Sequence, residues 1–243
     1  MIKLNEINTR APGSAGKKAL NEELTALHKR LFSLQNVLYA EGKHPILIIL
    51  QGMDTAGKDG AIRHVFSCVN PLGCNVKSFK APTEEERKHD FLWRIYPHLP
   101  AKGMIQIFNR SHYEDVLVPA MHGTLPAAVI EERYHFINCF EKQLLSSGTL
   151  ILKFFLHISK KEQAKRIEAR KQDPHKKWKY DKSDEREAKS WDAYQRVYEN
   201  IIQRCSPEIP WHIVPADQKW YRNYYVANRI VEQLEALNLQ YPS

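Results

Sequence analysis

A run of apolar and β-branched residues, Ile46-Leu-Ile-Ile-Leu-Gln, stops at Gly52, and Gly57-Lys58 follows with a helix-forming segment behind it. An uninterrupted apolar run of this length reads as a strand buried on both faces, the kind found in parallel sheets. Glycines at positions 52, 57 and 60 remove the Cβ atoms that keep backbone N–H groups from closing on an oxyanion. Strand, glycine-rich loop and helix together predict a phosphate cradle. By chance alone G-x-x-x-x-G-K arises in roughly one chain in fourteen of this length, so the pattern counts because of its context. One position departs from the usual loop: Asp59 stands where Ser or Thr normally places a hydroxyl on Mg2+.

The rest of the chain repeats strand and helix. Apolar strands are expected at 46–50, 76–79, 104–108, 149–158 and 210–214. Helices are expected at 17–39, 59–69, 84–96, 126–146, 160–172, 185–205 and 219–237. Such alternation predicts a three-layer α/β sandwich with a mostly parallel, five-stranded sheet and ligands at the strands' carboxyl ends. Leu20, Leu24, Leu27, Leu31, Leu34 and Leu38 make one apolar face on the first helix, for the core or a subunit contact. No linker or repeat divides the chain. It reads as a single domain over 1–243, with an arm and helix at 1–42 and a basic lid at about 160–190.

Polar residues gather where the strands should end. Asp54, Lys58 and Asp59 follow the first strand, and Lys80 the second. Asn109, Arg110, Glu114 and Asp115 follow the third. Arg166 and Arg170, spaced to share one helix face, follow the fourth. Phosphoryl transfer needs this inventory: cations for the equatorial oxygens, in-line positioning, and usually Mg2+. Lys58 suits the first phosphates. A carboxylate inside the loop, Asp54, would repel phosphate unless a metal bridges them, or it orients the attacking oxygen; capping the loop is the plainer role. Asp115 supplies a second metal ligand or a helix N-cap, and Arg110 a phosphate contact or a surface ion pair. Lys165 to Lys182 hold eight Lys or Arg against three acids, a lid over phosphates or a solvated basic face. Trp178 within it is a candidate base-stacking residue. A covalent phosphohistidine at His112 lacks a second supporting basic cluster.

Charge and cysteines narrow the class. A formal net charge of +8 suits an anionic partner, and no aromatic-rich RNA-binding signature accompanies it. The four cysteines, without a C-x-x-C pair, read as reduced thiols. With no membrane-length apolar run and no apolar signal core at the start, a cytoplasmic protein is expected, with neither membrane nor nucleic acid as partner.

Several motifs, in order, resemble one known family. They are Gly52-Met-Asp-Thr-Ala-Gly-Lys-Asp-Gly60, Phe79-Lys-Ala-Pro82, Asp90-Phe-Leu-Trp-Arg94, Phe108-Asn-Arg-Ser-His-Tyr-Glu-Asp115, Trp191-Asp-Ala-Tyr194 and Val214-Pro-Ala-Asp-Gln-Lys-Trp-Tyr-Arg-Asn223. Together, across Lys17 to Leu237, they are similar to the second family of polyphosphate kinases, the polyphosphate:nucleotide phosphotransferases. The resemblance implies a P-loop kinase fold with a helical lid, inorganic polyphosphate as donor, and AMP or ADP as acceptor, giving ADP and ATP reversibly. It implies Mg2+, or Mn2+ in its place. A homo-oligomer is expected, with the leucine face of Leu20 to Leu38 as a candidate interface. Asp54 resembles the family's essential loop aspartate and, with Asp115, the metal site. Lys58, Arg110, Arg166 and Arg170 resemble its phosphate-binding cations. The loop residues Thr55, Ala56, Gly57 and Asp59 join that set, with Lys80 and Arg94 near the phosphate channel. Asn109, Arg110 and Glu114 would meet the nucleotide. Many members carry Asp-Arg-Ser-Trp-Tyr-Asn-Arg after the third strand. Asn109-Arg-Ser-His-Tyr-Glu-Asp115 resembles instead the third class, which phosphorylates both AMP and ADP, and moves weight to Glu114 and Asp115. An ATP-dependent nucleoside monophosphate kinase would share the loop and fold, and a non-catalytic polyanion binder only the charge.

Overall fold

The computed structural model describes residues 2–175, 177, 187–205 and 207–242. Five strands, β1 (Ile46–Gln51), β2 (Cys74–Ser78), β3 (Ile105–Asn109), β4 (Leu150–His157) and β5 (Trp211–Pro215), form one sheet in the order β2-β3-β1-β4-β5. Every pairing is parallel. β1 lies at the centre with all six residues buried, as its unbroken apolar run requires. Leu50 pairs with Asn109, and Ser78 with Asn109 on the far side, so the loops after β1, β2 and β3 leave the sheet at one edge.

Helices cover both faces. α1 (Lys17–Glu41), α2 (Lys58–Val65) and α7 (Lys219–Ala236) pack together on one side. α3 (Glu114–His122), α4 (Ala127–Ser146) and α6 (Trp191–Arg204) cover the other, and α5 (Lys160–Gln172) follows β4. Leu31, Leu34 and Leu38 of α1 are buried, so the leucine face serves the core against α7. Among the described residues no helix is long and apolar enough to cross a membrane.

Two local departures from the sequence reading have physical causes. The helix expected at 84–96 is a chain of turns, with 3-10 segments only at Glu86–Lys88 and Tyr96–His98. Thr83 and Glu86 cap each other reciprocally as at a helix start (2.8 and 3.1 Å). The Asp90 carboxylate then takes the Leu92 N–H at 2.9 Å and diverts the backbone. The second departure is α3, which is not among the expected helices and carries Pro119 inside it. Pro119 cannot donate to the Asp115 carbonyl four residues back, and the Arg133 guanidinium donates to that carbonyl instead, at 2.5 Å.

The arm is draped over the carboxyl edge. Leu4 is fully buried, its N–H donates to Glu199 (2.7 Å), and its carbonyl meets His157 Nε2 (2.9 Å). Thr9 Oγ1 donates to Asp217 (2.8 Å), whose other carboxylate oxygen accepts the Ser159 N–H (2.8 Å).

Candidate active site

The chain leaves β1 through Gly52, where φ is 151° and any Cβ would stand 2.8 Å from the Leu156 carbonyl; only glycine fits. The loop closes on itself. The Ala56 N–H donates to Met53 O (3.0 Å), and buried Lys58 donates to Gly52 O (2.7 Å) and Met53 O (3.3 Å). Ala56 therefore serves the turn rather than offering its N–H to an anion. The N–H groups that open α2 at Lys58, Asp59 and Gly60 have no intrahelical acceptor. Burial and the neighbouring Arg110 lower the Lys58 pKa.

Asp54 faces across the sheet edge to β3, where Arg110 Nη2 donates to it at 2.7 Å. Arg110 is held for this at a left-handed φ of 64°, with its N–H on Leu50 O (3.1 Å). Burial alone would raise the Asp54 pKa. Lys58, a hydrogen bond with Glu187, Arg110 and Arg170 overcome that and bring it to about 2. Arg110 is held protonated by Glu114 and Asp54 against the opposing pull of burial. Gln51 fixes Glu114 at 2.9 Å, and Gln163 holds the Asp54 carbonyl at 3.1 Å. These groups line a cavity of about 230 Å3, with Tyr194 and Tyr198 of α6 on its far wall and Leu117 and Val118 beside them.

The other predicted residues sit elsewhere. Asn109 Nδ2 donates to Asp59 (2.8 Å), fixing exposed Asp59 over the edge of β2 and β3. Asp115 does not line the cavity: Arg94 Nη2 pairs with it at 3.0 Å, which takes it out of the set around Asp54. Arg94, almost wholly buried, also donates to Lys80 O (3.0 Å), so it braces the loop after β2, while the Lys80 side chain is exposed. Arg166 is not aimed at open space. It donates to Thr55 O (3.0 Å), Ala56 O (2.8 Å), Ala216 O (2.7 Å), Asp217 O (3.0 Å) and Glu162 (2.8 Å). All five of its N–H groups are engaged, which makes it a staple for the loop. Arg170 stands close enough to Asp54 to lower its pKa. Of the basic lid, Lys176, Trp178, Lys179 and Lys182 lie outside the described residues.

Under the loop after β3 lies a buried polar network. His112 is fully buried with Nε2 3.3 Å from Glu141, which removes it from any surface chemistry. Lys153 of β4, also fully buried, donates to Glu141 (2.5 Å), Tyr113 Oη (3.0 Å) and the Cys205 carbonyl (2.6 Å).

Sequence reasoning gave no site role to Gln51, Gln163, Glu187, Tyr194 and Tyr198. Gln51 reads simply as the end of β1, and the other four come from segments more than a hundred residues further along the chain. Among the described residues no group of three His, Cys, Asp or Glu is arranged to hold a metal by itself. Two carboxylates in hydrogen-bonding reach, Asp54 and Glu187, repel unless a proton or cation joins them. Their hard oxygens fit Mg2+, which takes one or two carboxylates and completes its shell with phosphate and water.

Comparison with known proteins identifies the family. The family model described as Polyphosphate kinase 2 (PPK2) matches residues 14–242. An AMP/ADP-polyphosphate phosphotransferase of Meiothermus ruber is 50% identical, over 93% of this chain and 85% of its own length. An ADP-polyphosphate phosphotransferase of Rhodopseudomonas palustris is 43% identical over 95% and 84%. The crystal structure of Polyphosphate Kinase 2 from Arthrobacter aurescens TC1 superposes with a TM-score of 0.95 at 45% identity, covering 100% of this chain and 88% of that one. The glycine-rich loop bridged from Asp54 to Arg110 is thus set in a chain that belongs to the polyphosphate kinase 2 family.

Proposed function

We propose that the protein transfers the terminal phosphate of inorganic polyphosphate to AMP and to ADP, reversibly and with Mg2+. The observation that carries this is the Asp54–Arg110 contact at the ends of β1 and β3, flanked by Lys58 and Glu114. The loop N–H groups at the start of α2 and the Lys58 ammonium receive one polyphosphate end. Arg110 sits between the two substrates, where it offsets charge on the transferring group as the bond forms and breaks. Asp54, ionised at any physiological pH, orients the acceptor's attacking phosphate oxygen. Asp54 and Glu187 would hold Mg2+, which neutralises phosphate oxygens when bound. The acceptor's base and ribose take the cavity walled by Leu117, Val118, Tyr194 and Tyr198. Relatives named for AMP and ADP support both acceptors.

A cytoplasmic homo-oligomer belongs to the same reading; exposed Tyr96 and Phe136, which line one groove with Phe91 and Val129, offer an apolar face for assembly. The deciding experiment gives the protein AMP and polyphosphate without ATP and follows products by chromatography. Formation of ADP and then ATP supports the proposal. Phosphorylation of AMP by ATP alone, with polyphosphate inert, would make it a nucleoside monophosphate kinase.

A further inference from the structure

Against Gly57 and Gly60 of the loop, and outside the cavity lining, lies a cation that the scheme above does not use. Arg222 of α7 is 1% exposed and is the largest fully buried side chain among the described residues. Its Nε and Nη2 both donate to the Asn223 side-chain oxygen, at 3.1 and 2.7 Å. That fork locks the guanidinium flat against the loop. A Cβ on Gly57 would stand 2.2 Å from Arg222 Nη1, and one on Gly60 3.3 Å from Nη2. The glycines at 57 and 60 therefore do more than shape the turn: they let a guanidinium reach the peptide groups that open α2.

Nothing described balances this charge. No carboxylate pairs with Arg222 and no acceptor reaches its Nη1 among the described residues. Its nearest charged neighbour is another cation, Arg166, whose Nη1 lies 3.5 Å from the same Cβ position on Gly57. Burial and Arg166 depress the Arg222 pKa to about 10. A buried cation with a cation for a neighbour is destabilising unless something else compensates it. The same Gly57 and Gly60 that Arg222 abuts flank the opening N–H groups of α2 and Lys58, the place proposed for the phosphate chain.

We infer that Arg222 is a positioning residue that charges the phosphate loop from outside the cavity, so that a polyanion on the loop supplies the counter-charge that the fold leaves out. Arg166 holds the loop carbonyls back, Asn223 aims the fork, and Arg222 adds a fixed positive potential with no contact to the ligand. The inference rests on the phosphate-binding reading of the loop. It deepens that reading by coupling the stability of the free protein to the charge density of the donor.

The test measures the thermal midpoint of the full chain with and without inorganic tripolyphosphate, and KM and kcat for polyphosphate with AMP, in wild type, Arg222→Met and Arg222→Lys. Tripolyphosphate should raise the wild-type midpoint. Arg222→Met should unfold at an equal or higher temperature when ligand-free, lose most of the tripolyphosphate-induced rise, and show a KM about tenfold higher with a smaller change in kcat. Arg222→Lys keeps the charge and should hold KM within about threefold of wild type. A merely structural arginine gives the opposite pattern: a lower ligand-free midpoint in Arg222→Met with the tripolyphosphate rise and KM unchanged. That result, or a Lys variant as impaired in KM as the Met variant, overturns the inference. If Arg222→Met does not fold, Arg222→Gln takes its place; if no variant folds, Arg222 is a framework group and the inference fails. Failure of the wild type to make ADP from AMP would refute the proposed function. The tripolyphosphate rise and its dependence on Arg222 would still test the loop.

Discussion

Replacing Lys153 by Met keeps the length and apolar stem of the side chain and removes only the charge, so it isolates what the ammonium does. Lys153 is fully buried and has three acceptors, Glu141, Tyr113 Oη and the Cys205 carbonyl. Without it Glu141, 3% exposed, is a buried carboxylate whose remaining partners are His112 and Tyr113. Breaking a buried pair in this way costs about 3–5 kcal/mol. An independent bound comes from protonating Glu141 instead. From its ordinary value of 4.5 to pH 7 is 2.5 units, or about 3 kcal/mol. For a domain of this size the loss corresponds to roughly 6–20 °C in Tm.

The pH sign follows from the same group. In the variant, the folded-state pKa of Glu141 is raised above the unfolded value. The penalty is therefore full above the raised pKa and relieved as pH falls toward 4.5. Urea unfolding of Lys153→Met at pH 7.5 and pH 5 should show the larger loss at pH 7.5. Lys153→Met/Glu141→Gln should recover much of it, because Gln still accepts from Tyr113 without a charge to bury. The reasoning is refuted if the single variant lies within about 1 kcal/mol of wild type at both pH values, or if the double variant is less stable than the single one.

Three other outcomes are expected. Asp54→Ala should keep the fold by circular dichroism and lower kcat by about 100-fold or more; near-normal kcat would remove Asp54 from the chemistry. The Asp54 carboxyl, at about 2 against an ordinary 3.8, contributes about 2 kcal/mol of stability that is present above pH ~4 and lost as pH falls through 2. In acid titrations Asp54→Asn should lack that step. Arg166→Ala should lower both Tm and the transfer rate, the rate by at least about tenfold, and Arg166→Lys should rescue neither, because one ammonium cannot reach four carbonyls. A variant with normal Tm and a specific loss of phosphate affinity would return Arg166 to direct phosphate binding.

What could be read from the chain divides along a physical line. β1, its loop and α2 were legible because a buried parallel strand must be continuously apolar and an anion cradle must be glycine-rich. The start of α5 was legible too: the helix expected from 160 begins there, where Ser159 Oγ accepts the Glu162 N–H at 3.1 Å. The turns of 84–96 were not, because Thr83 and Glu86 present a true helix-start signal that Asp90 then cancels. Nor was α3, whose Pro119 is tolerated only because Arg133, from a different helix, serves the orphaned carbonyl. At the site, residue type gave Asp54, Lys58 and Arg110 a common neighbourhood. It could not separate Arg166, a staple, from Arg170, close to Asp54, although one helix carries both. Composition reports charge, and only the fold reports which charges are already matched.

The draped arm has a consequence for the order in which the protein can be completed. Residues 4–11 emerge early in synthesis, yet Leu4, Thr9 and Ala11 bond to Glu199, Asp217 and Gln218, which emerge late. The same Asp217 holds the first residue before α5, the helix that carries Arg166 and Arg170. The arm must therefore wait, undocked, for residues 199–218 to arrive, and the basic helix is anchored only when the two segments meet. A nascent chain carries its phosphate loop long before it can hold that helix in place, so the catalytic edge is among the last parts to become a single object.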